Sequence, residues 1–276
     1  MHGNSQSSFI TRHLVLLVIA AFVIGIVYIE IRTINAIGTT AILLIFAHIA
    51  AVLVIIYGFS RTKRHSHSHD ELETDGVTIG WAAFYDVFIR LLFSGNVNKL
   101  MKSTVQLANL RAGDVVLDVG CGTGTAAILA KQTANVEIHG IDASPQMIER
   151  ARQKAEKAKV TVNFQTGLAE AIQFPNETFD VVMSSLMMHH LPDHLRPKAL
   201  AEMYRILKPG GRVLIVDFEP PKKGLYKSFL TLFLGEMTSI DNTRIPPLVQ
   251  DAGFMDVKKG STATAIGTYI SGIKPG

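Results

Sequence analysis

Cysteine is almost absent. Cys121 is the only one in 276 residues, which excludes an internal disulfide and fits a reducing compartment. A strong excess of either charge is also missing, since 27 basic and 23 acidic side chains leave a formal charge of +4. With no basic stripe interleaved with aromatics, that balance argues against a nucleic-acid partner. No internal repeat is visible. No Gly-Lys-Ser/Thr follows the glycine-rich stretch near the middle of the chain, which excludes a nucleoside-triphosphate loop. Finally, charge is missing altogether from two early runs, 16 residues over 14–29 and 24 residues over 36–59.

Spanning a bilayer takes roughly 20 apolar residues, so the second run spans comfortably and the first is marginal. Residues 1–60 therefore read as a membrane anchor of two transmembrane helices, about 14–31 and 36–59. Arg12 precedes the pair, Arg61, Lys63 and Arg64 follow it, and Arg32 in the connection is offset by Glu30. The positive-inside rule then places both ends, and the rest of the chain, on the cytoplasmic side of a multi-pass membrane protein. A signal peptide is the weaker reading, because no small-x-small cleavage site follows and a second apolar run comes at once. Buried core helices are weaker too, because both runs are apolar all round. His48 inside the second run reads as a neutral imidazole bonded to a carbonyl or facing the partner helix, although a polar residue there is a functional candidate. Residues 61–78 form a polar linker holding His65, His67, His69 and Asp70. Imidazoles at that spacing can hold zinc or nickel, but a solvated basic linker is the favoured reading and no metal site is assigned.

Residues 79–276 read as one α/β domain. Val115-Val116-Leu117-Asp118-Val119 is a buried strand by its length and valine content. Gly120-Cys121-Gly122-Thr123-Gly124 then turns sharply into helix material at Thr125–Lys131. A ligand belongs at the carboxyl end of such a strand. The third glycine follows the second by two positions rather than the three of a dinucleotide site. Asp118 also disfavours a pyrophosphate and suits a cation, such as the sulfonium and α-amino group of S-adenosylmethionine. Residues 136–142 form a second strand ending in Asp142, which lies 22 residues after Gly120, near the offset at which an acid reaches a ribose diol. Asp142 and Ser144 both precede Pro145 and either can cap the helix that starts there; Ser144 is the better cap, which leaves Asp142 for the sugar.

Further runs repeat the alternation. Strands are expected at 161–165, 178–184 and 212–218, and a helix at 196–207, stopped by Lys208-Pro209-Gly210-Gly211. Residues 255–259 and 268–273 are expected to pair as an antiparallel edge. Helices alternating with strands predict a doubly wound, mostly parallel sheet.

The chain from about Trp81 onward resembles the class I S-adenosylmethionine-dependent methyltransferases. It is most similar to the type 11 branch, which includes the ubiquinone/menaquinone biosynthesis methyltransferases. The likeness rests on Leu117–Gly124, Gly140-Ile141-Asp142-Ala143-Ser144, Phe179–Ser185, His189-His190-Leu191 and Leu207–Arg212, in that order. It implies a seven-stranded Rossmann-like sheet and S-adenosylmethionine as methyl donor. It places Asp118, Gly120, Cys121, Gly122, Gly124, Asp142, Ala143, Leu168, Ala169 and Ser184 at the donor. Where the family often has an acid for the adenine amino group, this chain has Leu168, so adenine is expected to pack on Leu168 and bond the Ala169 N–H.

Methyl transfer from a sulfonium needs alignment above all, and a base only where the acceptor must lose a proton. His189 and His190 are the candidates for that base; the alternative is that one shapes the pocket and the other caps a turn. The apolar and basic residues of 222–234 suit either an interfacial helix or a core helix. Trp81, Phe84, Tyr85 and Phe88 suit a lid or a helix resting on lipid. The leading expectation is a membrane-anchored methyltransferase of a lipophilic small molecule, such as a quinone precursor or a phospholipid-like acceptor. A methyltransferase of a membrane protein or peptide, and a noncatalytic adenosylmethionine-binding membrane protein, stay open beside it.

Overall fold

A computed structural model of the chain describes Thr74 and residues 96–218, 244–264 and 267–276. All of these fall in the second of two units into which the chain divides, residues 61–276. The two apolar runs, the histidines of the linker, the aromatic run from Trp81 to Phe88 and residues 222–234 lie outside the described residues. Among the described residues no helix is long and apolar enough to cross a membrane.

The described elements are α1 (Asn96–Leu107), β1 (Val115–Val119), α2 (Thr125–Thr133), β2 (Glu137–Asp142), α3 (Pro145–Lys157), β3 (Asn163–Thr166), β4 (Phe179–Ser185), a 3-10 turn (Met188–His190), α4 (Arg196–Ile206), β5 (Leu207–Phe218), α5 (Ile245–Asp251), β6 (Met255–Ser261) and β7 (Gly267–Ile273). The strands form one seven-stranded sheet in the order β3-β2-β1-β4-β5-β7-β6. Neighbours from β3 to β5 pair in parallel, and β7 runs antiparallel to both β5 and β6. This is a Rossmann-like mixed sheet.

Alternation along the strands explains why both faces are covered. Leu117 and Val119, Val182, and Val213 and Ile215 join one core with α4 and α5 residues such as Leu200, Met203 and Val249. Val116, Val181 and Met183, and Leu214 and Val216 point the other way and join α1, α2 and α3 through Leu100, Ala127 and Ile148. Each fully buried aliphatic side chain contributes roughly 1.5–3 kcal/mol. The near-continuous apolar sequence of these strands follows from burial on both sides.

Local signals set the elements around the ligand end. The Ser144 Oγ accepts the Met147 N–H at 3.3 Å and Pro145 opens α3, as the sequence predicts. Met147, Ile148, Ala151 and Ala155 form the buried stripe of α3. One expectation needs correction. Lys208-Pro209-Gly210-Gly211 does not separate helix from strand, because β5 starts at Leu207 and contains the tetrapeptide. Phe179 pairs with Leu207 and Val181 with Arg212, so two steps on β4 oppose five on β5. The tetrapeptide is absorbed as a bulge, with Gly210 at φ 76, a conformation glycine adopts without steric cost.

From β1 the chain proceeds to β2 and β3 on one side, then returns to β4 and β5 on the other. The crevice outside the carboxyl ends of β1 and β4 is therefore the topological switch point, where open α/β sheets bind ligands.

Candidate active site

The turn after β1 is built so that backbone, rather than side chain, lines the crevice. Gly120 has φ 68, and a Cβ there would meet the Met187 Cγ at 2.1 Å. Met187, just past β4, thus seats directly on the glycine turn. Gly122 has φ 53, and a Cβ there would meet nothing within 4 Å. Only a residue without a side chain adopts these angles freely, and at Gly122 the backbone borders open space. Gly124 provides the αL entry to α2. Cys121 is buried, and its N–H donates to the Ile141 carbonyl at 2.9 Å, tying the turn to β2. Burial, followed by Asp142 and Asp118, pushes its thiol well up, so it acts as a small filler rather than a nucleophile.

Two carboxylates flank this turn. Asp118 is 1% exposed, and its Oδ1 has no hydrogen-bond partner. Burial first and the charge of Asp142 second raise its pKa to about 8, opposed by the Ala127 backbone N–H. Asp142 is also raised, chiefly by burial. Its Oδ2 accepts the Gly122 N–H at 2.8 Å and its Oδ1 accepts the Ser144 N–H at 2.9 Å. Asp142 is thus not left free by the Ser144 cap; it braces the turn, although each oxygen keeps a second lone pair for a ligand hydroxyl. Ala143 lies between this brace and the cap, half-buried.

The other expected donor residues are placed as follows. The Gly167 N–H donates to the Asp142 carbonyl at 3.0 Å, which brings half-buried Leu168 and buried Ala169 to the end of β2. Leu168 bridges to Ala171, and the Thr74 hydroxyl donates to the Glu170 Oε1 at 2.6 Å. Ser184 is buried, and its hydroxyl donates to the Val119 carbonyl at 2.9 Å. That bond staples β4 to β1, so Ser184 shapes the crevice through the strands.

Two features escaped the sequence. Lys154 on α3 donates to the Thr123 and Thr125 hydroxyls at 2.9 and 2.8 Å, clamping the turn from outside. Asp217, near the end of β5, is 1% exposed. Its Oδ1 lies 2.6 Å from the His189 Nδ1, and its Oδ2 accepts the His189 backbone N–H at 3.1 Å. An acid interrupting the apolar run Val213–Phe218 at the ligand end was the available signal. His190 packs its ring on His189 with centroids 4.0 Å apart. Burial and then His189 lower its pKa to about 3, and its buried Nδ1 has no partner. The buried Arg196 holds this turn by donating from Nε to the Met188 and Leu191 carbonyls at 3.2 and 3.0 Å.

An S-adenosylmethionine-like group fits these residues. A buried carboxylate oxygen lacks a partner, the charge of Asp142 adds to the cost of ionising Asp118, and the backbone at Gly122 is open. A cation relieves the first two, whereas a pyrophosphate aggravates both.

Fold and turn define the Rossmann-like methyltransferase architecture. Residues 116–211 match the family model described as a methyltransferase domain. The demethylmenaquinone methyltransferase of Thermus thermophilus is 38% identical over 143 residues, 51% of this chain and 64% of that protein. The ubiquinone/menaquinone biosynthesis C-methyltransferase of Marinomonas sp. is 36% identical over 149 residues, 52% of this chain and 58% of that protein. The chain thus spans less than two thirds of the length of these curated relatives. A phosphoethanolamine N-methyltransferase of Haemonchus contortus, solved with S-adenosyl-L-methionine, shares the fold with TM-score 0.55 at 18% identity, covering 72% of this chain and 61% of the other.

Proposed function

We propose that the chain is an S-adenosylmethionine-dependent methyltransferase that acts on a lipophilic small molecule of the quinone-precursor type. It is held by residues 1–60 at the cytoplasmic face of a membrane. The observation that carries the donor is the orphaned Oδ1 of Asp118 beside the open backbone of Gly122. The quinone-type relatives favour the acceptor class, and the two uncharged N-terminal runs favour the membrane.

The donor brings a methyl already activated on a sulfonium, so the protein's task is alignment in a water-poor crevice. Asp118 offers charge to the donor's cationic end. Gly120, Gly122 and Gly124 let backbone approach it. Asp142, with its spare lone pairs, offers a ribose contact, while Leu168 and Ala169 offer an apolar wall and an N–H to adenine.

Membranes carrying the full-length protein, incubated with methyl-labelled donor, test the reading. Label in extractable lipophilic material is the expected result. Label in protein supports a protein acceptor instead, and donor binding without label supports a noncatalytic role. No binding of S-adenosylhomocysteine by calorimetry overturns the reading altogether.

A further inference from the structure

We propose that Lys154 is a positioning residue for the methyl donor: it sets the glycine turn that receives the donor, and it acts through Thr123 and Thr125 rather than by contact. This rests on the methyltransferase reading and deepens it.

The turn is loose by composition. Gly120, Gly122 and Gly124 have φ 68, 53 and 77, and glycine samples many other conformations when nothing holds it. A loop that its ligand must order loses affinity by the cost of that ordering. A turn of this kind binds well only if the protein holds it beforehand.

The first half of the turn is held by β2. The Cys121 N–H donates to the Ile141 carbonyl, and the Gly122 N–H donates to Asp142. The second half is held by α3 and β3. A Cβ at Gly124 would meet the Ala151 Cβ at 3.0 Å and the Phe164 Cζ at 2.6 Å, so Gly124 rests directly on both elements. Lys154 lies three residues beyond Ala151, on the same face of the helix. Its ammonium donates to the Thr123 and Thr125 hydroxyls at 2.9 and 2.8 Å. One side chain thus pins the residues on either side of Gly124, while Gly124 itself is seated on Ala151. A lysine suits this task, because a single ammonium carries several rotatable donors.

Stability alone would select a different group here. Gly124 occupies the cap position of α2, which starts without a side-chain cap and has no acid in its first turn. The ordinary remedies are Ser, Thr, Asp or Asn at the cap and an acid just after it. Instead a cation sits on Thr125, the first residue of α2. Its charge suits the last turn of α3, to which Lys154 belongs, but opposes the dipole of α2. The two effects offset each other, and what the ammonium adds is the placement of the turn against α3. That helix begins at the Ser144 cap beside Asp142 and grips the turn through Lys154 near its other end. It therefore fixes the proposed ribose contact and the second half of the turn in one frame.

Full-length Lys154→Met, Lys154→Arg, Thr125→Val and the Lys154→Met/Thr125→Val double variant test this by calorimetry, at a temperature where each is folded. The two ligands are S-adenosylhomocysteine and methylthioadenosine, which lacks the amino-acid end. Lys154→Met is expected to raise the S-adenosylhomocysteine Kd by about five- to twentyfold, the cost of ordering one or two groups on binding. Methylthioadenosine should lose affinity by a similar factor, because the turn itself has changed. Lys154→Arg should recover most of the loss, since it keeps a charged donor. Thr125→Val should weaken binding by about threefold or more, and the double variant should be little worse than Lys154→Met. In ligand-free Lys154→Met, hydrogen exchange of the amides of residues 120–125 should be faster by about tenfold.

An unchanged S-adenosylhomocysteine Kd in Lys154→Met, whatever its Tm, overturns the positioning role, because the clamp then serves the fold alone. A loss confined to S-adenosylhomocysteine overturns it as well, because Lys154 then touches the donor's amino-acid end. If Lys154→Met does not fold, Thr125→Val decides, and an unchanged Kd there overturns the role. Failure of wild-type protein to bind S-adenosylhomocysteine is a different result, and it removes the methyltransferase reading itself.

Discussion

A carboxyl group shut away from water keeps its proton unless something positive arrives. Asp118 loses its proton at about 8 in the folded protein, against an ordinary value of 3.8, with burial the leading cause. The sign follows. Between those two values the folded state binds more protons than the unfolded one, so stability falls as pH rises from about 4 to about 8. Asp118→Asn removes that slope. Its Tm should match wild type near pH 4 and exceed it by roughly 5 °C or more at pH 8, read by a thermal melt. The same substitution should weaken S-adenosylhomocysteine by about tenfold or more, because a neutral amide cannot pair with the ligand's ammonium. Binding to wild type near pH 7 should also release a proton, which calorimetry in two buffers of different ionisation enthalpy detects. A variant that is both more stable and less able to bind separates a ligand-directed acid from a structural one.

At the scale of elements, the glycine turn and α3 depend on one side chain. Asp142 satisfies the Gly122 and Ser144 N–H groups from opposite oxygens. Leaving two partly buried donors unpaired costs on the order of 2–4 kcal/mol. Asp142→Ala is therefore expected to lower Tm by several degrees and also to weaken donor binding. The sequence alone suggests loss of binding with little loss of folding, because nothing in the spacing reveals that the carboxylate reaches back 20 residues. This contrast marks the boundary of what was legible. Strands buried on both faces announce themselves as apolar runs, and the Ser144–Pro145 helix start is a local chemical signal. The sheet's elements and the acid-flanked glycine turn could thus be read directly, whereas the switch point follows from the strand order. Lys208–Gly211 could not, because a helix stop and a β-bulge use the same residues. The Asp217 partnership with His189 spans 28 residues, and the Lys154 clamp spans 29 and 31. Contacts of that separation are fixed by strand order and register, which no local pattern encodes.

On the scale of the whole molecule, the proposed tether and the crevice perform separable tasks. The proposed donor site uses Asp118, the glycine turn and Asp142, all within β1 to α3. Residues 1–60 lie outside that stretch of sequence. If those residues hold the chain at a bilayer, their contribution is effective concentration: a lipophilic acceptor dissolved in the same membrane meets the crevice far more often than one met by three-dimensional diffusion. Deleting residues 1–60 should then leave the S-adenosylhomocysteine Kd within about twofold. It should leave methyl transfer to a short-chain, water-soluble phenolic acceptor nearly unchanged, while transfer to a long-chain acceptor in vesicles should fall by about tenfold or more. Steady-state rates with the two acceptors, measured side by side for full-length and truncated protein, check this. Equal losses on both acceptors would mean that residues 1–60 support the catalytic fold. No loss on either would mean that the acceptor reaches the crevice from water, and the membrane would then have no part in the reaction.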